Sequence, residues 1–200
     1  MKTVFFDFGN VIGFFDHYRA VDKLLHFTDV PAAALFDTLY GSELELAYER
    51  GDISTDEYVR RAIAAGRLTC SPEAFRRDFE DIFWPNPAVC DIVPKLKPKY
   101  RVGLASNTND AHFAHYSAQF ADTLRHFDTL CPSHHARSRK PDAAYFAYCQ
   151  RHANADPAEC AFVDDLPENI AAANGHGWKG VLYRPDTDLA AALAAVGVVV

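Results

Sequence analysis

Asp7 closes the apolar run Val4-Phe5-Phe6 and is followed by Phe8 and the flexible pair Gly9-Asn10. A carboxylate at the C-terminal tip of a buried parallel strand, just before a turn, is where open α/β sheets place reacting groups. Three further segments follow in order: Leu104-Ala105-Ser106-Asn107, Arg139-Lys140-Pro141, and Phe162-Val163-Asp164-Asp165. Together they supply a carboxylate nucleophile, a hydroxyl with an amide, a cation, and an acidic pair able to hold a metal. Each also has an ordinary reading. Asp7 could cap a turn, Ser-Asn is common turn chemistry, a lysine before proline usually lies on the surface, and adjacent aspartates can simply start a solvated loop.

Elements able to bring these segments together are legible in the hydrophobic pattern. Residues 2–7, 101–105, 127–131, 160–164 and 179–183 read as short apolar strands, with stretches of helical length between most of them. Strands alternating with helices imply a parallel sheet covered on both faces, and right-handed crossovers then place every strand's C-terminal end on one edge. The stretch 16–86 shows helical periodicity without a convincing strand. Helices are expected over Ala32 to Tyr40, Ser42 to Arg50, Thr55 to Ala65 and Pro72 to Trp84, with Ser54 or Thr55 and Ser71 as caps, and a last helix over 187–195. Pro85 and Pro87 oppose further helix and favour an extended link. The expected organisation is thus an α/β core over 1–15 and 87–200 with a helical insert over 16–86.

Bulk properties narrow the function classes. At 200 residues, 49% hydrophobic and 13% aromatic, the chain can bury one good core with a small appended module. A net charge of -7 argues against a nucleic-acid partner, although a divalent cation would still let an acidic site receive a phosphorylated small molecule. The five cysteines form no CxxC pair and no zinc spacing, and no signal-peptide layout or membrane-length apolar run is present, so a cytoplasmic protein with reduced thiols is expected. His112 with His115 and the pair His134-His135 lack the companion ligands of a zinc site.

The ordered set Asp7-Phe8-Gly9-Asn10-Val11-Ile12, Glu49-Arg50-Gly51-Asp52-Ile53-Ser54, Ser106-Asn107-Thr108-Asn109, Arg139-Lys140-Pro141-Asp142, and Asp164-Asp165 with Asn169 resembles the haloacid dehalogenase (HAD) superfamily. The resemblance covers nearly the whole chain. It is closest to subfamily IA, with a C1 helical cap, and within it to sugar-1-phosphate phosphatases and the N-terminal phosphatase domain of epoxide hydrolases. It implies a Rossmann-like α/β fold with an all-helical cap inserted after the first strand. It also implies a magnesium-dependent phosphatase of small phosphorylated metabolites, sugar phosphates such as a hexose 1-phosphate, working as a monomer or homodimer. On the resemblance Asp7 is the nucleophile that forms an aspartyl-phosphate. Ser106 and Asn107 hold the transferring phosphoryl group, Lys140 neutralises it and orients Asp7, and Mg2+ is held by Asp7, the Gly9 carbonyl and Asp165, with Asp164 acting through water or in support.

One position departs from the commoner superfamily pattern, which has a second aspartate two residues after the nucleophile as general acid and base. This chain has Gly9 there. The carbonyl can still ligate a metal, but the acid–base contribution, typically about 10² to 10⁴ in rate, is lost. An anomeric leaving group, which needs less protonation, is one way out; an acid from the insert, with Asp16 and His17 as candidates, is another. Tyr48, Glu49 and Arg50 are candidate specificity contacts, with Tyr48 alternatively a packed residue and Arg50 a solvated one. Two rival readings stand beside the phosphatase: a metal-independent 2-haloacid dehalogenase-type hydrolase, and a catalytically weak HAD-like binding or regulatory module.

Overall fold

The structure is a computed structural model describing residues 1–200. Seven strands form: β1 (Thr3–Phe6), β2 (Gly13–Phe15), β3 (Phe83–Pro85), β4 (Arg101–Ser106), β5 (Thr129–Pro132), β6 (Cys160–Asp164) and β7 (Lys179–Leu182). Five of them make one parallel sheet in the order β5-β4-β1-β6-β7, with β1 at its centre paired to β4 and β6. These five are the strands expected from the apolar runs, each within a few residues of its expected bounds. Because all run parallel, the residues just past β1, β4, β5 and β6 emerge along one edge.

Alternate residues of the strands enter two different cores, as a period of two requires. Val4, Phe6, Val102, Leu104 and Val163 pack on one face, in a cluster that continues into the cap. Phe5, Ala105, Cys131 and Phe162 pack on the other, against Trp178, Tyr145 and Phe146. Gly103 exists to admit Phe5, whose ring lies 2.4 Å from where a Cβ at 103 would stand.

Five cap helices, α1 (Tyr18–Leu24), α2 (Ala32–Tyr40), α3 (Glu43–Glu49), α4 (Thr55–Ala65) and α5 (Pro72–Glu80), lie between β2 and β3. Ser42, Ser54 and Ser71 cap α3, α4 and α5 by accepting the N–H three residues on, so Ser54 rather than Thr55 fills that role. The rest of the core carries α6 (Pro87–Cys90), α7 (Val93–Leu96), α8 (Asp110–Gln119), α9 (Ala121–Leu124), α10 (Ser133–Ala136), α11 (Ala143–Ala153), α12 (Pro167–Gly175) and α13 (Leu189–Ala195). No helix is long and apolar enough to cross a membrane.

The insert corrects the sequence expectation at its base. The helix expected to reach Trp84 stops at Glu80, and Phe83–Pro85 is a strand paired antiparallel with Gly13–Phe15. Both chain crossings between core and cap are therefore stitched into one short ribbon. The Phe14-Phe15 pair belongs to this ribbon.

Candidate active site

The β1 tip holds Asp7 and then turns sharply, with Asn10 in the left-handed region at φ 54°. Asp7 Oδ1 accepts the Phe8 N–H at 2.7 Å and lies 2.8 Å from Lys140 Nζ. Its other oxygen, Oδ2, has no donor in the protein and remains available. Lys140 arrives on the loop between α10 and α11 and is fully enclosed, its Nζ also donating to Asp164 Oδ2 at 2.7 Å. One ammonium thus bridges two buried carboxylates. Burial works against that charge, yet Asp164 and Asp7 outweigh it and hold the Lys140 pKa above its ordinary value.

The loop carrying Lys140 is fixed by Asn107, whose side chain forms a reciprocal pair with it. Asn107 Oδ1 accepts the Lys140 N–H at 2.8 Å, and Nδ2 donates to the Lys140 carbonyl at 3.0 Å. This takes up the Asn107 amide and leaves its backbone N–H, with the Ser106 hydroxyl, as the donors at the end of β4. Both residues line the same cavity as Asp7 and Lys140.

Asp164 and Asp165 are adjacent in sequence but differently engaged. Asp164 is fully buried, with Oδ1 accepting the Leu166 N–H and both oxygens accepting from Asn169 Nδ2. With Lys140 added, it is occupied as a brace. Asp165 faces the cavity and accepts only from Asn10 Nδ2, at 3.1 Å. Carboxylate oxygens of Asp7, Asp164 and Asp165 lie within 4.8 Å of one another. Such a set of hard oxygens, together with a Gly9 carbonyl that receives no backbone N–H, fits a magnesium ion, which is usually held by one or two carboxylates and keeps several waters. Without a cation the cluster is strained electrostatically. Burial, resisted by Lys140 and reinforced by Asp164 and Asp165, pushes Asp7 up to about 7, and burial also raises Asp165.

The cavity, of about 230 Å³, lies between this rim and the cap, which contributes His17, Glu45 and Glu49. Glu49 Oε2 is 2.9 Å from Arg139 Nη2. Both cations of the cavity, Lys140 and Arg139, are therefore already committed to carboxylates. Phe15 lies over Gly9, its ring 2.8 Å from where a Cβ would stand, so an aromatic ring occupies the space an acid at position 9 would need.

The cap is seated on the core by polar contacts. Ser133 Oγ is 2.7 Å from the Glu49 carbonyl, the Ala111 N–H donates to Tyr48 Oη at 3.0 Å, and Tyr48 donates to Thr55 Oγ1, which donates to Asp110. Tyr48 is thus a packed anchor. Arg50 pairs with Asp52 and does not reach the cavity. Gly51, at φ 69°, touches the His134 carbonyl, and a Cβ there would fall 2.5 Å from that oxygen. Gly51→Ala is expected to cost about 1–3 kcal/mol through backbone strain and overpacking, measured by urea unfolding, and to raise KM by lifting this edge of the cap.

Of the remaining candidates, His112 is buried between Asn109 and the Phe79 carbonyl. His134 is bonded to the Thr108 carbonyl and joins no metal cluster. Glu45 and Arg139, both lining the cavity, escaped the sequence reading as individual site residues. Only the helical spacing of Glu45 to Glu49 could have flagged the first.

The haloacid dehalogenase-like hydrolase family model matches residues 1–177. A D-ribitol-5-phosphate phosphatase of Bacteroides thetaiotaomicron is 26% identical over 195 residues, 93% of this chain and 92% of that protein. Among solved structures, a HAD family enzyme of Bacteroides thetaiotaomicron in complex with magnesium and inorganic phosphate superposes with a TM-score of 0.80 at 20% identity, covering 94% of this chain and 96% of that one. A HAD-like family hydrolase of Porphyromonas gingivalis gives 0.83 at 20% identity, covering 98% and 97%. A 2-haloacid dehalogenase of Pseudomonas syringae gives 0.63 at 19%, covering 94% and 90%.

Proposed function

Given that the chain belongs to the haloacid dehalogenase-like hydrolases, we propose that it is a magnesium-dependent phosphatase of small phosphorylated metabolites in the cytoplasm. The reading rests above all on Lys140 Nζ standing between Asp7 and Asp164, with Asp165 facing the same cavity. Phosphoryl transfer needs an in-line nucleophile and positive charge around the equatorial oxygens. Asp7 Oδ2 is the uncommitted nucleophile, and its attack gives an aspartyl-phosphate that water then hydrolyses. Ser106 Oγ and the Asn107 N–H hold the phosphoryl oxygens, while Asn107 keeps Lys140 in place. Magnesium bound by Asp7, the Gly9 carbonyl and Asp165 would supply charge neutralisation for phosphate and transition state.

The substrate class is sugar or sugar-alcohol phosphates, a hexose 1-phosphate among them, in line with the subfamily IA resemblance to sugar-1-phosphate phosphatases. A cavity of about 230 Å³ suits a compact leaving group better than a nucleotide. Glu45, Glu49 and Arg139 offer acceptors and a donor to hydroxyls. The D-ribitol-5-phosphate phosphatase relative supports the same class.

Assaying phosphate release from hexose, pentose, pentitol and nucleotide phosphates tests the reading. Turnover of the sugar esters is expected with magnesium, with a loss on the order of 10²-fold or more in EDTA, as removal of a charge-neutralising metal implies. Chloride release from 2-haloacids that survives EDTA, without phosphate release, would instead establish the dehalogenase.

A further inference from the structure

In an in-line displacement the leaving oxygen points away from the nucleophile. With Asp7 on the sheet edge, that direction leads to the cap. The space beside Gly9 that would hold a proton donor on the core side is filled by the Phe15 ring, which leaves the cap as the side from which one can come.

Five cap or rim groups are considered, and four are unsuited; of these Glu49, though also raised by burial, is paired with Arg139 at 2.9 Å. Asp16 lies outside the cavity and accepts the Tyr18 N–H. His17 stacks on Tyr40 at 3.8 Å, and burial lowers its pKa to about 4, so at neutral pH it has no acidic proton to give. His112 has both ring nitrogens engaged and is lowered by burial to about 3. The fifth is Glu45. It lines the cavity from α3, one turn before Glu49, and its carboxyl has no hydrogen-bonding partner in the protein.

We propose that Glu45 is the general acid of this enzyme, supplied by the cap in place of the carboxylate missing at Gly9. This rests on the phosphatase reading above. As Asp7 Oδ2 bonds to phosphorus and the ester P–O bond breaks, the Glu45 proton passes to the departing oxygen, which leaves as an alcohol. The resulting Glu45 carboxylate then takes a proton from the water that attacks the aspartyl-phosphate. The P–O bond to Asp7 breaks, phosphate departs, and both carboxyls return to their starting state.

The surroundings keep a proton on Glu45 in the required range. Near it are Glu49 on its own helix, Arg139 from the core loop, Tyr40 of α2 and Tyr58 of α4. Burial and the Glu49 charge push Glu45 up to about 8, while the Arg139 guanidinium, which pairs with Glu49, opposes. Burial raises both carboxyls, but Glu49 is paired with the Arg139 guanidinium at 2.9 Å, which opposes the rise, while Glu45 has no such direct partner. Pairs of carboxyls whose environments differ in this way commonly divide acid and base roles. An acid of this kind frees the enzyme from needing an anomeric leaving group, so phosphates of ordinary alcohols fall within its range.

The test compares Glu45→Gln with wild type on two magnesium-supported substrates: p-nitrophenyl phosphate, whose phenolate leaves unassisted, and a pentitol or hexose phosphate, whose alkoxide does not. The ratio of kcat on the alkyl ester to kcat on the aryl ester is expected to fall by about 10²-fold in the variant. Wild-type kcat on the alkyl ester should decline above pH about 8, where Glu45 ionises, and that descending limb should vanish in the variant. Equal losses on both esters, or an unchanged ratio, would overturn the role of Glu45 while leaving the phosphatase reading intact. Wild-type protein inert toward both esters would overturn the phosphatase reading and this inference with it.

Discussion

Lys140→Met is expected to destabilise the protein by about 3–5 kcal/mol in urea unfolding at neutral pH, the usual result of removing one partner from a buried ion pair. The ammonium is almost wholly enclosed, 2.8 Å from Asp7 and 2.7 Å from Asp164, and lies 5.2 Å from the centre of the Phe162 ring. Its loss leaves two carboxylates facing each other in an interior that cannot solvate them. Methionine replaces the alkyl stem and omits only the terminal ammonium, so the loss reports mainly charge rather than a cavity. Phosphatase activity should disappear in the same variant. Magnesium should restore part of the stability and none of the turnover, because the ion can neutralise Asp7 without holding it in place.

Asp7→Asn should act in opposite directions on activity and stability. Activity is expected to fall by on the order of 10⁴-fold or more, since an amide cannot form the acyl phosphate and removal of a nucleophile costs at least that much in comparable enzymes. Stability without metal should rise. The cluster holds two or three carboxylates against one ammonium, and Asp7 sits, in the folded chain, at about 7 rather than its ordinary 3.8. A carboxyl raised in the native state contributes stability that is present below its unfolded pKa and is lost as pH rises through the folded value. Wild-type stability in EDTA should therefore decline between about pH 4 and 7, and the asparagine variant should lack that component. Urea midpoints at pH 5 and pH 8 measure the difference, which should be larger at pH 8. A variant no more stable than wild type at pH 8 would mean that Asp7 is not under electrostatic strain.

The sheet and the rim of the candidate site were legible because each depends on local signals. The five core strands are short apolar runs, and a parallel topology forces Asp7, Ser106 and Asp164 to one edge whatever the loops between them do. What escaped depends on contacts between distant residues. The ribbon of Gly13–Phe15 with Phe83–Pro85 pairs two three-residue strands some seventy residues apart, too short for alternation to register, and Ile82-Phe83 prolongs the helical pattern of α5 past its end. Asp16 and His17 follow the first motif in sequence, but Asp16 spends its carboxylate on a turn and His17 on an aromatic stack. Glu45 reads as one more acid on a charged helix until the cap is seated. Its significance comes from Ser133, Ala111 and Gly51 fixing α3 against the rim, and no spacing encodes that. The double role of Asn107 was similarly hidden, because its partner is the backbone of a residue thirty-three positions later.

The cavity wall carries Asp7, Glu45, Glu49 and Asp165 against Lys140 and Arg139, and both cations are already claimed by acids of the protein. A phosphate dianion approaching such a wall finds no unspent positive charge. Filling should accordingly be sequential, ion before ester. Free phosphate should compete well only when the ion is present, and the residence time of the ion should set how quickly the product can leave.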